Sequence, residues 1–199
     1  MKTPYRQEGE TYLIEIKLSD VRQIFNSFDP APFIDKDLDD DAHAYIVDSV
    51  REFPRKTPLK LVFYLPAAAG EHAQSMPEAV RNHFAYRADL ARKEVTYTLR
   101  QGRWSLLIGL VFLFLCISLR QWIALADYDT VEEILKEGLL ISGWVAMWSP
   151  MQTFLYDWWP IHLHRRVLEK IRHMPVEVRL LTDAQREARL GDQLHETAK

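Results

Sequence analysis

The residues best suited to bind an ion are a run of aspartates in the segment FIDKDLDDDAH, residues 33–43. Closely spaced carboxylates can hold Ca²⁺ or Mg²⁺ through their oxygen atoms, but an EF-hand loop also needs a glycine at its turn and a glutamate at its twelfth position. Neither is present. We interpret Asp39, Asp40 and Asp41 as residues at a helix N-terminus, where the helix dipole favours negative charge. A divalent-cation site and a docking surface for a basic partner remain alternatives.

His162 and His164 are a second candidate metal-binding pair. Two residues apart, they would share a face in an extended segment but would diverge by about 200° on a helix. Zinc sites normally use three or four protein ligands, and no third ligand stands out nearby. We therefore expect these histidines to line a lipid-headgroup interface. The single cysteine, Cys116, excludes an internal disulfide and is predicted to pack among apolar neighbours.

Recognised catalytic motifs are missing from the sequence. The seven glycines never cluster, so there is no phosphate-binding loop and no dinucleotide fingerprint, and no G-x-S-x-G motif occurs. The formal net charge of -3 gives no indication of nucleic-acid binding. We predict a protein without catalytic residues and without a cofactor.

Two long apolar segments predict a pair of transmembrane helices. Residues 104–126 (WSLLIGLVFLFLCISLRQWIALA) contain one charge, Arg120, and span about 34 Å as a helix, against a hydrocarbon core of about 30 Å. Arg120 is expected to extend towards the far headgroups. The second predicted span, 138–159, begins with a charge-free run of about 28 Å, and Pro150 near its middle should produce a kink.

The charges that flank these segments predict their orientation. Arginines and lysines precede the first span and follow the second, whereas the short loop 127–137 between them is acidic. The positive-inside rule then places both termini in the cytoplasm and this loop outside. The basic flanks should also attract anionic lipid headgroups. Eight residues are predicted to lie at the membrane interfaces: Trp104, Arg120, Trp122, Asp157, Trp158, Trp159, Arg165 and Arg166.

Small residues recur on one face of each span and predict close helix packing. In the second span they are Gly138, Ser142, Ala146 and Pro150; in the first they are Ser105 and Gly109. Such a face suits a helical hairpin within one chain, and it equally suits contact with a second copy of the protein. Both possibilities stay open from the sequence.

The remaining residues predict a small α/β domain that the hairpin interrupts. Residues 1–75 should form a strand (12–18), a short helix after Asp20, a helix over 39–53 and a buried strand (59–65), which together resemble a parallel crossover. A capping box, Ser75 with Glu78, should start a juxtamembrane helix over 76–103.

The C-terminal region supplies the rest of this domain. Residues 160–182 should form a helix and a strand, and 183–199 a terminal helix or tail that begins with a capping box. A strand this short needs a sheet to join, and the candidates precede the membrane segments. The predicted fold is thus a membrane α-helical hairpin inserted in a small cytoplasmic α/β domain with a mixed three-stranded sheet.

Two stretches, FNSFDPAPFIDKDLDDDAHAYIVDSVRE and GWVAMWSPMQTFLYDWWP, resemble those of small bacterial membrane proteins with two transmembrane helices and no characterised function. The resemblance covers most of the chain. It implies bacterial origin and placement in the inner membrane, and it implies no activity and no site residues.

The leading functional hypothesis is a membrane-anchored adaptor, scaffold or regulatory accessory protein without enzymatic activity, which binds a protein partner or a second copy of itself. A second hypothesis is a subunit of an oligomeric channel or transporter, because Ser142, Ser149, Gln152 and Thr153 can line a polar path. A third is a membrane-tethered enzyme that uses a metal held by the aspartates or the histidines.

Overall fold

The computed structural model describes residues 5–67, 72–123 and 130–181 of the 199-residue chain. The chain divides into two compact units. The first contains residues 1–89 together with 166–199, and the second contains residues 90–165. The polypeptide therefore leaves the first unit, completes the second and then returns to the first.

A four-stranded mixed sheet forms the centre of the first unit. Its strands are β1 (Gln7–Glu8), β2 (Thr11–Lys17), β3 (Leu59–Pro66) and β4 (Val176–Leu181), adjacent in that order. β1 is antiparallel to β2, while β2, β3 and β4 are mutually parallel. The predicted mixed sheet with helices is confirmed, including the C-terminal strand that pairs with the earlier strand β3.

The prediction of three strands was wrong by one. β1 has only two residues, which is too short to show an alternating pattern in the sequence. It is joined to β2 by the pair Gly9–Glu10, and Gly9 has a φ of 63°. Glycine adopts this left-handed conformation without the steric penalty of a Cβ atom, so it permits the tight reversal.

Buried side chains of the first unit lie on both faces of this sheet. Ile14 lies opposite Leu61, and Ile16 opposite Phe63, so these side chains share one face. Leu13, Val62 and Tyr64 form a buried cluster on the other face. Residues fully buried in this unit include Ile14, Ile46, Leu61, Phe63, Met76, Phe84 and Leu168.

The connection from β2 to β3 contains two 3₁₀ turns, Val21–Ile24 and Phe33–Asp35, and the helix α1 (Asp40–Arg51). The short helix predicted after Asp20 is only the first of these turns. Asp20 caps it by accepting a hydrogen bond from the Arg22 amide at 2.8 Å. α1 ends before the predicted Phe53, because a residue that precedes proline, here Pro54, disfavours the helical conformation.

The helix α2 (His72–Ile123) contributes to both units, because it continues without interruption through the boundary at residue 89. It includes the predicted juxtamembrane helix and most of the first predicted span; residues 124–126 lie outside the described residues. The predicted capping box was wrong: Ser75 is already inside the helix, so it is not the N-cap. The predicted C-terminal capping box and the region 183–199 also lie outside the described residues.

The second apolar segment is not one continuous α-helix. It comprises α3 (Thr130–Ala146), α4 (Trp148–Gln152), a π-helical stretch (Thr153–Asp157) and the start of α5 (Trp158–His173). Proline has no amide hydrogen, so Pro150 cannot donate to the Ala146 carbonyl. Just before it, the Met147 amide donates to the Trp144 carbonyl three residues back, at 3.0 Å. Residues 130–137, predicted as loop, belong to α3.

Within the second unit, the apolar part of α2 packs antiparallel to this broken segment. A Cβ atom on Gly109 would lie 3.2 Å from the Ala146 carbonyl oxygen, and one on Gly143 would lie 2.7 Å from the Leu113 side chain. Gly138 has nothing within 4 Å of such an atom. The predicted small-residue face is therefore used within the chain at Gly109 and Ala146. Gly143, which was not predicted, is also in close contact, whereas the predicted Gly138 is not.

One helix in the described part of the chain is long and apolar enough to cross a membrane. It lies in α2, over Ala73–Ile123; its most apolar stretch has a mean hydropathy of 2.1, and 11 % of that stretch is buried. α3 has 17 residues, about 26 Å, which is shorter than the hydrocarbon core. Of the two predicted spans, only the first lies in a helix of this length and apolarity within the described residues, so the predicted transmembrane hairpin is not shown.

Candidate functional site: a loop held by a buried histidine

The residues 26–37 form a compact loop whose ends meet. Phe25 and Leu38 form an isolated antiparallel bridge at its base. The Asn26 amide donates to the Asp37 carbonyl at 2.9 Å, and the Asp39 amide donates to the Ile24 carbonyl at 2.8 Å. A surface loop of this size with closed ends is an Ω-loop, a type that is frequently functional. We call it the Ω-loop below.

Asp29 organises the interior of the Ω-loop. Its two carboxylate oxygens accept hydrogen bonds from the Ala31 amide at 2.9 Å and from the Asp37 amide at 2.7 Å. These backbone donors stabilise the charged carboxylate and lower the pKa of Asp29. The Asn26 side chain likewise accepts from the Phe28 amide at 2.9 Å. The sequence of the loop thus specifies one conformation through its own polar side chains.

His83 of α2 fixes the Ω-loop to the body of the first unit. Its side chain is fully buried, and its Nδ1 lies 2.9 Å from a carboxylate oxygen of Asp37 and 3.2 Å from the Leu38 amide nitrogen. Its Nε2 lies 3.0 Å from Nδ1 of His43 on α1. Next to it, the Asn82 side chain donates to the Ile34 carbonyl at 3.3 Å.

The protonation of His83 decides which of these hydrogen bonds form. A protonated Nδ1 donates to Asp37, whereas an unprotonated Nδ1 accepts from Leu38; it cannot do both. Burial lowers the pKa of His83, and the hydrogen bond and charge of Asp37 oppose this effect only in part. The positive charge of Arg87, one turn along α2, also disfavours protonation.

The two histidines of the cluster formed by Asp37, His83 and His43 pack against the ring of Phe84. The His43 ring stacks on Phe84 at a centroid distance of 5.2 Å and an angle of 19°, and His83 meets Phe84 edge to face. A carboxylate–imidazole–imidazole array can transfer a proton along its length. However, His83 has no exposed side-chain surface that a substrate can contact, so this geometry favours positioning of the loop over catalysis.

The outer side of the Ω-loop and the start of α1 present apolar and acidic side chains together. Phe28 is 91 % exposed and Ile34 is 42 % exposed. Asp35, Asp40 and Asp41 are exposed on the same continuous stretch of chain. We call these five residues the loop surface. Because burial of an aromatic ring is favourable, the exposed ring of Phe28 offers apolar surface that a partner can cover.

The aspartates predicted as candidate metal ligands lie at the N-terminus of α1. Asp39 is the N-cap and accepts a hydrogen bond from the Asp41 amide at 3.0 Å, while Asp40 and Asp41 occupy the first turn. The helix-capping interpretation is confirmed for Asp39. Within residues 5–67, 72–123 and 130–181, no group of three or more histidine, cysteine, aspartate or glutamate side chains is arranged to hold a metal ion.

His162 and His164 both lie on α5, so they point about 200° apart and do not share a face. The His162 ring is 5.7 Å from that of Trp158. Each of the two therefore has a different environment, and the geometry gives no support to a shared metal ion.

The predicted interface residues lie on α2, on the π-helical stretch and on α5. Trp104, Trp122 and Trp159 are 63 %, 78 % and 54 % exposed, and Arg120 and Arg166 are exposed as well. Trp158 donates to the Phe154 carbonyl at 2.7 Å. Asp157 is exposed and accepts a hydrogen bond from the Thr153 hydroxyl at 3.1 Å, while Arg165 is partly buried.

Three of the four polar side chains that motivated the channel hypothesis, all except Gln152, have a hydrogen-bond partner or a close polar contact within the described part of the chain. The Ser142 hydroxyl donates to the Gly138 carbonyl at 2.8 Å, and the Ser149 hydroxyl lies 3.4 Å from that of Ser105. Thr153 bonds to Asp157. Groups that already have partners in one chain gain little from lining a path between several chains.

The sequence did not reveal the His43–His83–Asp37 cluster. The two histidines are 40 residues apart, and only the fold brings them together. One signal was present: His83 adjoins the apolar stripe of α2 that contains Val80 and Phe84, and a polar group on a buried face needs a partner. No family model matches the chain, and no match was found among curated proteins or solved structures.

Proposed function

We propose that this protein is a membrane-anchored, non-enzymatic adaptor whose α/β unit docks a protein partner through the loop surface. The observation that carries the proposal is the ring of Phe28, which is 91 % exposed on a loop that hydrogen bonds hold in one conformation. The partner is a protein with a basic surface around an apolar pocket. The proposed setting is the bacterial inner membrane, with both termini in the cytoplasm.

The chemistry of the loop surface fits a small interface. Binding energy concentrates in a few buried anchors, often aromatic, that are surrounded by a polar rim. Phe28 and Ile34 would supply the anchors, and the three exposed aspartates would attract a basic partner and speed its association. Because Asp29 and His83 already order the loop, little conformational entropy is lost on binding, which strengthens the complex.

The second unit supports the membrane part of the proposal. The apolar segment of α2 exposes large side chains such as Ile108, Phe114 and Trp122, a pattern that is unfavourable in water and favourable in lipid. The antiparallel packing of the broken segment against α2 supports a hairpin that enters the bilayer twice. In this proposal the irregular backbone is tolerated because it lies beside α2: Pro150 is buried, and Thr153 of the π-helical stretch lies next to Gly102.

Photo-crosslinking tests the docking function. A photoreactive phenylalanine analogue at position 28 is expected to give a discrete adduct in intact membranes, and the same analogue at exposed Tyr97 is expected to give none. The triple substitution Asp35→Asn, Asp40→Asn and Asp41→Asn should reduce the adduct at least fivefold. Asp48→Asn, a matched change on the exposed side of α1, should leave it intact. Identical adduct patterns from positions 28 and 97 would contradict the proposal.

A further inference from the structure

We infer that two copies of this protein form a homodimer in which their β4 strands pair antiparallel, with Val178 of one copy facing Val178 of the other. The interface lies at the edge of the sheet in the first unit. It uses none of the residues of the loop surface, and it does not depend on the docking function proposed for that surface.

β4 is the last strand of the sheet, so it has a paired strand on one side only. The carbonyls of Pro175 and Leu181 accept hydrogen bonds from β3 and from the residue that follows it, at 2.9 and 3.1 Å. Because backbone groups alternate in direction along a strand, Val176, Val178 and Leu180 direct theirs away from β3. Within the described part of the chain, no hydrogen bond engages these outward groups. Such an edge is a template for another strand.

The two edges of the sheet differ in what they offer to a second strand. β1 forms the opposite edge and has only two residues, and a very short edge strand provides little backbone for pairing. β4 has six residues, and the side chain of Leu180 on it is 54 % exposed. The edge at β4 is therefore the better candidate for an interface.

The sequence of β4, VEVRLL, complements itself when the two copies are aligned at Val178. Val176 then faces Leu180 of the second copy, and Glu177 faces Arg179. Apolar pairs and opposite-charge pairs directly across two antiparallel strands are stabilising. The outward backbone groups would form about six hydrogen bonds, since each outward residue exchanges both of its groups with the residue opposite. Every contact occurs twice about a two-fold axis, as in a closed homodimer.

This alignment also agrees with the two faces of the existing sheet. The residues of β3 that lie opposite Val176, Val178 and Leu180 are Leu61, Phe63 and Leu65. The apolar pairs of the dimer would therefore extend a face that is already apolar in β3. Glu177 and Arg179 lie on the other face, so the charged pairs would be kept apart from the apolar ones.

Glu177 and Arg179 favour a second copy of this chain over an unrelated extended strand. Within one copy, Arg179 Nε donates to a Glu177 carboxylate oxygen at 2.7 Å. The side chain of Arg179 is 26 % exposed and that of Glu177 is 38 % exposed, so both can also meet the opposite charge across the axis. Charged side chains on an edge strand usually prevent pairing between copies. Here the two signs lie on either side of Val178, so pairing brings opposite charges together.

Disulfide formation in the full-length protein tests the alignment. Each variant carries Cys116→Ala, so that the introduced cysteine is the only one. At the axis, the two Cα atoms of residue 178 would lie about 5.5 Å apart, which a disulfide can bridge. Leu180→Cys is the control, because it lies on the same face and is exposed, but its two copies would be about 14 Å apart. Under mild oxidation, Val178→Cys should give at least fivefold more disulfide-linked dimer than Leu180→Cys.

Charge substitutions in the Val178→Cys background test the pairing of Glu177 with Arg179. Arg179→Glu makes both positions acidic and Glu177→Arg makes both basic, so each variant alone should lose at least fivefold of its disulfide-linked dimer. When the two variants are mixed, opposite charges face each other again. We expect the mixed disulfide to return to within twofold of the level of Val178→Cys, measured by mass spectrometry of the linked species.

Equal linkage at positions 178 and 180 would overturn the dimer, as would the absence of a disulfide at position 178. A mixed disulfide no more abundant than the two like-charged ones would overturn the alignment at Val178. The comparison of positions 178 and 180 uses no charge substitution, so it tests the dimer even where a charge variant does not fold.

Discussion

The two halves of α2 share one helical backbone, but the apolar side chains of the first half are buried and those of the second half are largely exposed. Before residue 89, Met76, Val80 and Phe84 are at most 1 % exposed and pack in the core of the first unit. Beyond residue 104, Ile108 and Phe114 are 66 % and 69 % exposed. Apolar burial against the sheet stabilises the first half, since it removes surface from water. The second half has no such gain in water and depends on close contacts at glycines.

The largest expected loss of stability comes from a substitution in the first half of α2, and the same substitution in the second half should have little effect. Phe84→Ala removes a fully buried ring and should lower the free energy of unfolding of the α/β unit by about 3–5 kcal/mol, because it loses apolar burial and leaves a cavity. Phe114→Ala, on the same helix, should change it by less than about 0.5 kcal/mol in detergent, as expected for an exposed position. Denaturant unfolding followed by circular dichroism measures both. Equal losses would show that the contrast between the halves is wrong.

Helix packing in the second unit is tested by its glycines. Gly143→Val places a side chain where a Cβ atom would already lie 2.7 Å from Leu113, so overpacking should cost about 1–3 kcal/mol. Gly138→Ala meets nothing within 4 Å and should be neutral or stabilise α3 by up to about 1 kcal/mol. Thermal unfolding in micelles should separate the two variants. A similar loss for both would indicate a backbone effect rather than a contact.

Removal of the histidine that fixes the Ω-loop should have an effect of about 1–3 kcal/mol, because His83→Ala removes a buried hydrogen-bond partner of Asp37, Leu38 and His43. The pKa of His83 is lowered on folding, so the unfolded chain binds its proton first as the pH falls. The stability associated with His83 is therefore complete above its ordinary pKa of 6.5 and declines below it.

His83→Gln should flatten this part of the pH profile, while His173→Gln, an exposed control, should keep the decline. Denaturant midpoints measured between pH 7.5 and 5 provide the comparison. If the wild-type midpoint rises below pH 6.5, the burial argument for His83 is incorrect.

The smallest expected effect concerns an ion-pair network on the strands. Hydrogen bonds from Arg179 and Lys60 lower the pKa of Glu177 to about 2, from an ordinary 4.5. Its contribution is present above pH 4.5 and is lost as the pH falls towards 2. Since Glu177 is 38 % exposed, Glu177→Gln should cost less than about 1 kcal/mol at pH 7. Glu10→Gln in the exposed turn is the control, and acid unfolding curves are the measurement.

The features of the fold that were predictable depend on local periodicity. The alternating residues of β2 and the apolar run of β3 indicated their strands, and the need of a short C-terminal strand for a sheet indicated where β4 pairs. β1 was not predictable, because a strand of two residues depends on its partner rather than on its own pattern. For the second apolar segment, the sequence indicated only a kink at Pro150. The π-helical stretch that follows was not predictable, because it depends on packing.

The candidate site was less predictable than the fold. Asp39 was recognised as a cap because capping is a local interaction. The contact of His83 with Asp37 joins residues 46 positions apart, and nothing in the spacing of these residues indicates it. The aspartates of residues 33–43 were considered as a possible cation site. In the structure, Asp37 of this run bonds to His83, and Asp29, which precedes it, accepts from the Asp37 amide, so both stabilise the Ω-loop.

The helix break at Pro150 has a consequence for Gly109. Without an amide hydrogen at position 150, the Ala146 carbonyl faces the neighbouring helix, and a Cβ atom at position 109 would lie 3.2 Å from its oxygen. An ordinary residue at 150 has an amide hydrogen to donate to that carbonyl, although a Cβ atom at position 109 would still lie 3.2 Å from the Met147 sulfur. Since the methionine side chain is flexible, we expect alanine at position 109 to be tolerated better when residue 150 is not proline.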